Sequence, residues 1–84
     1  MLGREKNEGK VLLDSAEKVT DFVSITAKTP CDIDLISGKN TYLDAKSIMG
    51  ILSCDYRRPL TLDIHAEDDE KAEVLSRLGK FLLA

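Results

Sequence analysis

The side chains that could carry phosphoryl or metal chemistry in this chain are one histidine, two cysteines and two serines ahead of helix-like segments. His65 stands far from Cys31 and Cys54 in sequence, so no zinc-type ligand spacing is present. We therefore expect no metal site and no cofactor, and we expect both cysteines to be reduced and buried. Ser15 and Ser47 each precede a helix-like segment. The first role expected of such a serine is that of a helix cap, in which its hydroxyl accepts hydrogen bonds from first-turn N–H groups.

The second of these serines lies in the run DAKSIMGILS. Ser47 is predicted to be the N-cap of a short helix. Ile48, Ile51 and Leu52 follow at a spacing that forms one helical stripe, which we expect to face a core. Met49 points away from that stripe. The run therefore predicts a small helix that begins at a serine and leaves an apolar side chain exposed.

The composition limits the classes of protein to which this helix can belong. The chain has 84 residues and a formal net charge of −3, which suggests one domain and disfavours a basic surface for nucleic acid or for an anionic membrane. No apolar run approaches the roughly 18 residues needed to span a bilayer, and the first residues lack the apolar middle of a secretory signal. We expect a cytoplasmic protein with a flexible segment over residues 1–9 and a single domain over residues 10–84.

The apolar pattern predicts four strands and three helices. A short strand over residues 10–13 is followed by a helix from about residue 15 to 28, which begins at a capping box formed by Asp14 and Glu17. Ile33 and Leu35 alternate with acids and then meet a turn at residues 37–38, as in a hairpin. After the short helix, residues 60–65 alternate again, and the last segment has the charge order of a helix. This order predicts an α+β protein, a two-layer open-faced sandwich.

The same segments resemble a known family. The core KSIMG, preceded by the hairpin-like CDIDLISGKNTYLDA, is similar to the regulatory-serine region of HPr, the histidine-containing phosphocarrier protein of the bacterial sugar phosphotransferase system. The resemblance implies the HPr fold, a four-stranded antiparallel sheet covered on one face by three helices. It also implies that Ser47 is phosphorylated by an HPr kinase/phosphorylase and that Lys46, Ile48 and Met49 bind partners. The alternative is that Ile48 packs in the core and that Met49 is an isolated exposed residue.

The phosphocarrier site of the family is not matched. Where the family has its acceptor histidine and a nearby arginine, this chain has Ser15 and Glu17. A carboxylate repels an incoming phosphate, and a phosphoserine ester transfers its phosphate far less readily than phosphohistidine does. Ser15 is thus a degenerate acceptor position. His65, on the polar side of the last strand and next to the acidic run AEDDE, is not expected to replace it.

The sequence therefore predicts a regulatory or adaptor protein without catalytic activity, linked to the phosphotransferase system or to carbon catabolite control. Its expected partners are an HPr kinase/phosphorylase and a transcription regulator or transport component, and neither nucleic acid nor membrane. Within the family it resembles the paralogue that lacks the histidine and acts through a phosphoserine. Two alternatives remain open: a phosphocarrier with an unconventional acceptor, and a small α+β enzyme such as an acylphosphatase.

Overall fold

The computed structural model describes residues 9–83, and its helices and strands follow the predicted order. They are β1 (Lys10–Val11), α1 (Ala16–Thr26), β2 (Asp32–Ser37), β3 (Thr41–Asp44), α2 (Ile48–Leu52), β4 (Leu60–His65), α3 (Asp68–Arg77) and a 3₁₀ turn (Gly79–Phe81). The segment predicted to be flexible lies outside the described residues except for Gly9, whose carbonyl accepts a hydrogen bond from the Leu62 N–H at 2.9 Å. No helix within residues 9–83 is long and apolar enough to cross a membrane.

The strands form one antiparallel sheet in the order β1-β4-β2-β3. In the central pair, Ile33 lies opposite Ile64 and Leu35 lies opposite Leu62. All four side chains are buried, because successive residues of a strand point to opposite faces and these alternate residues share one face. The alternation seen in the sequence therefore sets which face of the sheet enters the core.

The helices cover that apolar face and leave the other face open. Phe22 of α1 and Phe81 of the 3₁₀ turn meet edge to face, with ring centroids 5.4 Å apart and planes at 84°. The other buried apolar side chains of the helical layer are Val19, Val23, Ile51, Val74 and Leu78. The predicted fold class is confirmed: an α+β two-layer sandwich with an open four-stranded antiparallel sheet and three helices.

Two predicted boundaries are wrong by a few residues. The first strand is Lys10–Val11 rather than residues 10–13, since the Leu12 N–H turns to donate to the Phe81 carbonyl at 3.0 Å. The first helix ends at Thr26 and not near residue 28, and the last ends at Arg77. After one more bond to a carbonyl four residues back, later backbone N–H groups beyond each helix donate to carbonyls three residues back, the tighter pattern that commonly ends a helix.

Candidate functional site

Ser47 is the N-cap of α2, as predicted. Its backbone is extended (φ −110°, ψ 110°), and its Oγ accepts a hydrogen bond from the Gly50 N–H at 3.0 Å. A side chain at Gly50 would place its Cβ only 3.1 Å from that Oγ. The glycine therefore leaves space beside the hydroxyl, which is half-buried and open to one side.

The turn before Ser47 is tied to the end of α1. Ala45 is fully buried, and its carbonyl accepts a hydrogen bond from the Thr26 hydroxyl at 2.8 Å. The Lys46 ammonium donates to the Thr29 carbonyl at 2.7 Å, while its backbone N–H donates to the Asp44 carboxylate at 2.9 Å. These bonds fix where the serine sits. They also give Lys46, predicted to bind partners, an anchoring bond inside the fold.

The apolar residues of α2 divide between core and solvent. Ile51 is fully buried, whereas Ile48 is 38% exposed, Leu52 40% and Met49 82%. Of the stripe that could face a core, only Ile51 is buried, and Ile48 and Leu52 lie at the surface. At about 100° per residue, these two lie roughly 60–100° from Ile51 on the same flank, so a helix that seats on Ile51 presents both at its rim. We call Ile48, Met49 and Leu52 the α2 patch.

Leu52 belongs to the exposed surface although the sequence analysis did not predict it as a partner-binding residue. Apolar periodicity cannot separate a core position from a rim position in a helix of five residues. Only the seating of the helix on the sheet resolves the two.

Ser15 is also an N-cap. Its Oγ accepts a hydrogen bond from the Lys18 N–H at 3.1 Å. The predicted capping box, with Asp14 as the cap, is therefore wrong by one residue. Asp14 instead adopts a left-handed backbone (φ 46°), pairs with the Lys18 ammonium at 3.3 Å and donates its N–H to the Tyr56 carbonyl. At the degenerate acceptor position, the hydroxyl holds the start of a helix.

His65 lies at the end of β4, on the open face of the sheet. Its Nε2 is 2.9 Å from Asp34 Oδ2 and 3.6 Å from Asp63 Oδ2. The hydrogen bond to Asp34 raises the pKa of the imidazole, with partial burial opposing it and the charge of Asp63 assisting. These two acids come from the neighbouring strand β2 and from β4 itself, and not from the acidic run that follows His65 in sequence.

The two cysteines are free and half-buried, where we had expected full burial. Burial raises the pKa of both thiols, and the Cys54 Sγ donates to the Ile51 carbonyl at 3.0 Å. A thiol with a raised pKa is a weak nucleophile. Neither cysteine has the setting of a reactive group.

Comparison with known proteins gives one matching family model and a similar solved structure. Residues 15–83 match the family model described as the PTS HPr component phosphorylation site. The crystal structure of Crh, the catabolite repression protein of Bacillus subtilis, in which a swapped domain forms a dimer, is similar with a TM-score of 0.62. That similarity covers 100% of this chain and 99% of Crh at 24% sequence identity. It shows a shared fold. The comparison with curated protein sequences gives no match.

Proposed function

The chain belongs to the HPr family of the phosphotransferase system, and we propose that it is a non-catalytic regulatory protein whose phosphorylatable residue is Ser47. One observation carries this proposal: a half-buried serine hydroxyl stands at the start of α2, next to the exposed apolar α2 patch. A phosphate at this position would place about −1.5 to −2 charges beside that patch. The binding properties of the α2 patch would then change without any change in the fold.

Several contacts support Ser47 as the modified residue. The Oγ makes its hydrogen bond to the Gly50 N–H, and no side chain of Gly50 closes the space beside it. Ala45 and Lys46 hold the turn before the serine against the end of α1 and the residues after it, through one buried and one half-buried hydrogen bond. A kinase would therefore meet the serine in one conformation. In the family, the enzyme that modifies this serine is an HPr kinase/phosphorylase.

The α2 patch is the surface we propose for partner binding. Its residue Met49 is the most exposed large apolar side chain in the described part of the protein. In this proposal Ile48 and Met49 contact the partner and Leu52 extends the surface. Lys46 contributes a positive charge at the edge of the α2 patch. The Lys46 ammonium keeps its hydrogen bond to the Thr29 carbonyl. A transcription regulator or a transport component of catabolite control is the class of partner that the family suggests.

A phosphocarrier activity is not supported by the start of α1. The acceptor position there is Ser15, whose phosphate ester would transfer its phosphate far less readily than phosphohistidine, and its sequence neighbour Asp14 carries a carboxylate. An acylphosphatase activity is disfavoured by the same segment, because that chemistry needs an arginine in a phosphate-binding loop after the first strand. Here β1 leads instead to Asp14 and Ser15.

Labelling by an HPr kinase/phosphorylase and ATP tests the proposal. We expect label on Ser47 of the wild type and none on Ser47→Ala. Ser15→Ala is the matched control, because it removes the other N-cap serine, and it should be labelled like the wild type. If the wild type stays unlabelled by kinases that accept other HPr proteins, Ser47 is a cap and the proposal is refuted.

The contribution of the α2 patch is tested in the same assay. Met49→Ala should lower the rate of labelling, whereas Leu83→Ala, at a second exposed apolar side chain near the end of the chain, should leave it unchanged. Equal rates for all three proteins would show that the kinase does not use Met49.

A further inference from the structure

The open face of the sheet carries a row of carboxylates that the linear sequence does not bring together. Asp34 of β2 lies directly opposite Asp63 of β4 on one side and Asp44 of β3 on the other. Residues directly opposite each other share a face of the sheet, and like charges in such positions repel and destabilise it. The fold thus brings these carboxylates to positions where their charges repel.

His65 adds a nitrogen donor to this row, so the group is more than an acidic patch. Its Nε2 and one carboxylate oxygen each of Asp34 and Asp63 all lie within 4.8 Å of one another. The two measured separations are 2.9 Å to Asp34 and 3.6 Å to Asp63. Ligand atoms at about 2.0–2.2 Å from a tetrahedral ion lie about 3.4 Å apart. Small rotations of the three side chains would therefore bring them to a metal.

We propose that Asp34, Asp63 and His65 bind a divalent transition metal ion of the Zn²⁺ class, with water completing its coordination. A mixed set of imidazole and carboxylate ligands suits such ions, whereas Mg²⁺ and Ca²⁺ prefer oxygen ligands alone. The positive charge of the ion would offset the repulsion between the two carboxylates.

The position of the ligands within the sheet also supports this assignment. All three come from β2 and β4, the paired central strands, whose inward residues Ile33, Leu35 and Ile64 are buried in the core. The backbone of Asp34 is paired with both β3 and β4, and that of Asp63 and His65 is paired with β2. The carboxylates of Asp34 and Asp63 are about one-third exposed (35% and 33%), so the ion would be partly shielded from water.

Zinc titration of the complete chain tests the proposal. Metal-free protein in a buffer without phosphate is titrated with ZnCl₂ by calorimetry, beside His65→Asn, Asp34→Asn and Asp55→Asn. Loss of even an indirect partner of a metal ligand lowers affinity on the order of 10–100-fold. We therefore expect His65→Asn and Asp34→Asn to bind Zn²⁺ at least about tenfold more weakly. Asp55→Asn removes an exposed carboxylate outside the ligand set, and it should bind like the wild type.

A second measurement needs no variant, so it stays decisive even where a substitution unfolds the chain. Substoichiometric Mn²⁺ added to isotope-labelled wild type should broaden the amide signals of β2 and β4 around Asp34, Asp63 and His65 first. Absence of saturable Zn²⁺ binding would overturn the proposal. So would broadening spread over every acidic segment, or an equal loss of affinity in Asp55→Asn.

Discussion

Substitution of Ser47 separates its role as a helix cap from a role as a buried structural residue. In Ser47→Ala the hydrogen bond from the Gly50 N–H to Oγ, 3.0 Å long, is lost. Loss of an N-cap hydroxyl costs about 0.5–2 kcal/mol, typically about 1. Because the serine is only half-buried and the helix is short, we expect a loss of about 1 kcal/mol in the free energy of unfolding.

Ser47→Asp should behave differently, because aspartate is also a good N-cap. It keeps an acceptor for the Gly50 N–H and adds a negative charge at a helix start, which contributes about 0.3–1 kcal/mol at an exposed site. The nearby Asp44 carboxylate, held by the Lys46 N–H, opposes this gain. We expect the two effects to leave Ser47→Asp within roughly 1 kcal/mol of the wild type in either direction.

Urea unfolding at low and high salt, followed by circular dichroism, measures both variants. Ser15→Ala is the matched control, since it removes the corresponding cap of α1 and should also cost about 1 kcal/mol. High salt should reduce the difference between Ser47→Asp and the wild type, because it screens exposed charges. Loss of several kcal/mol in Ser47→Asp, or an altered spectrum of the folded protein, would refute the reasoning and the proposed phosphorylation switch with it.

Three further expectations concern the acceptor position, the core and the sheet. Incubation with the first phosphotransferase enzyme and labelled phosphoenolpyruvate should give no acid-labile label, and stoichiometric label on Ser15 or His65 would contradict this. Thr26→Val should lower the free energy of unfolding by about 1–3 kcal/mol in urea, because it leaves the buried Ala45 carbonyl without its hydroxyl donor; an unchanged value would show that the bond contributes nothing. The hydrogen bond to Asp34 raises the pKa of His65. The contribution of this hydrogen bond to stability is therefore present at low pH and is lost as the pH rises through the folded-state pKa of His65. The free energy of unfolding, measured across this pH range with a chelator present, should show this loss in the wild type and not in His65→Asn. Parallel pH profiles for the two proteins would refute this expectation.

The fold class and the position of the cap were predictable from local patterns. The period-two alternation around Ile33 and Leu62 marked two half-buried strands, and the structure pairs them at the centre of the sheet. Ser47 ahead of an apolar run marked a helix start, and the structure has its Oγ on the Gly50 N–H. Both signals come from residues only a few positions apart in sequence. They therefore do not depend on how the rest of the chain folds.

Helix ends and rim positions were less predictable, because they depend on competing contacts. Asp14 and Ser15 are both good cap residues. In the structure Ser15 caps the helix, while the Asp14 N–H donates to the Tyr56 carbonyl in a loop that is distant in sequence. Similarly, Ile48 and Ile51 fit the same helical stripe, yet only Ile51 is fully buried. The seating of α2 on the sheet decides between them.

The grouping of Asp34, Asp63 and His65 was decided by tertiary structure alone. Nothing in the sequence relates Asp34 to two residues about thirty positions later, and a search for ligand spacing finds no site there. The register between β2 and β4 places them together, and that register follows from burying Ile33, Leu35, Leu62 and Ile64 on the opposite face. A shift of either strand by one residue would turn the buried apolar side chains of that strand to the open face. The packing of the core thus determines which polar groups meet on the open face.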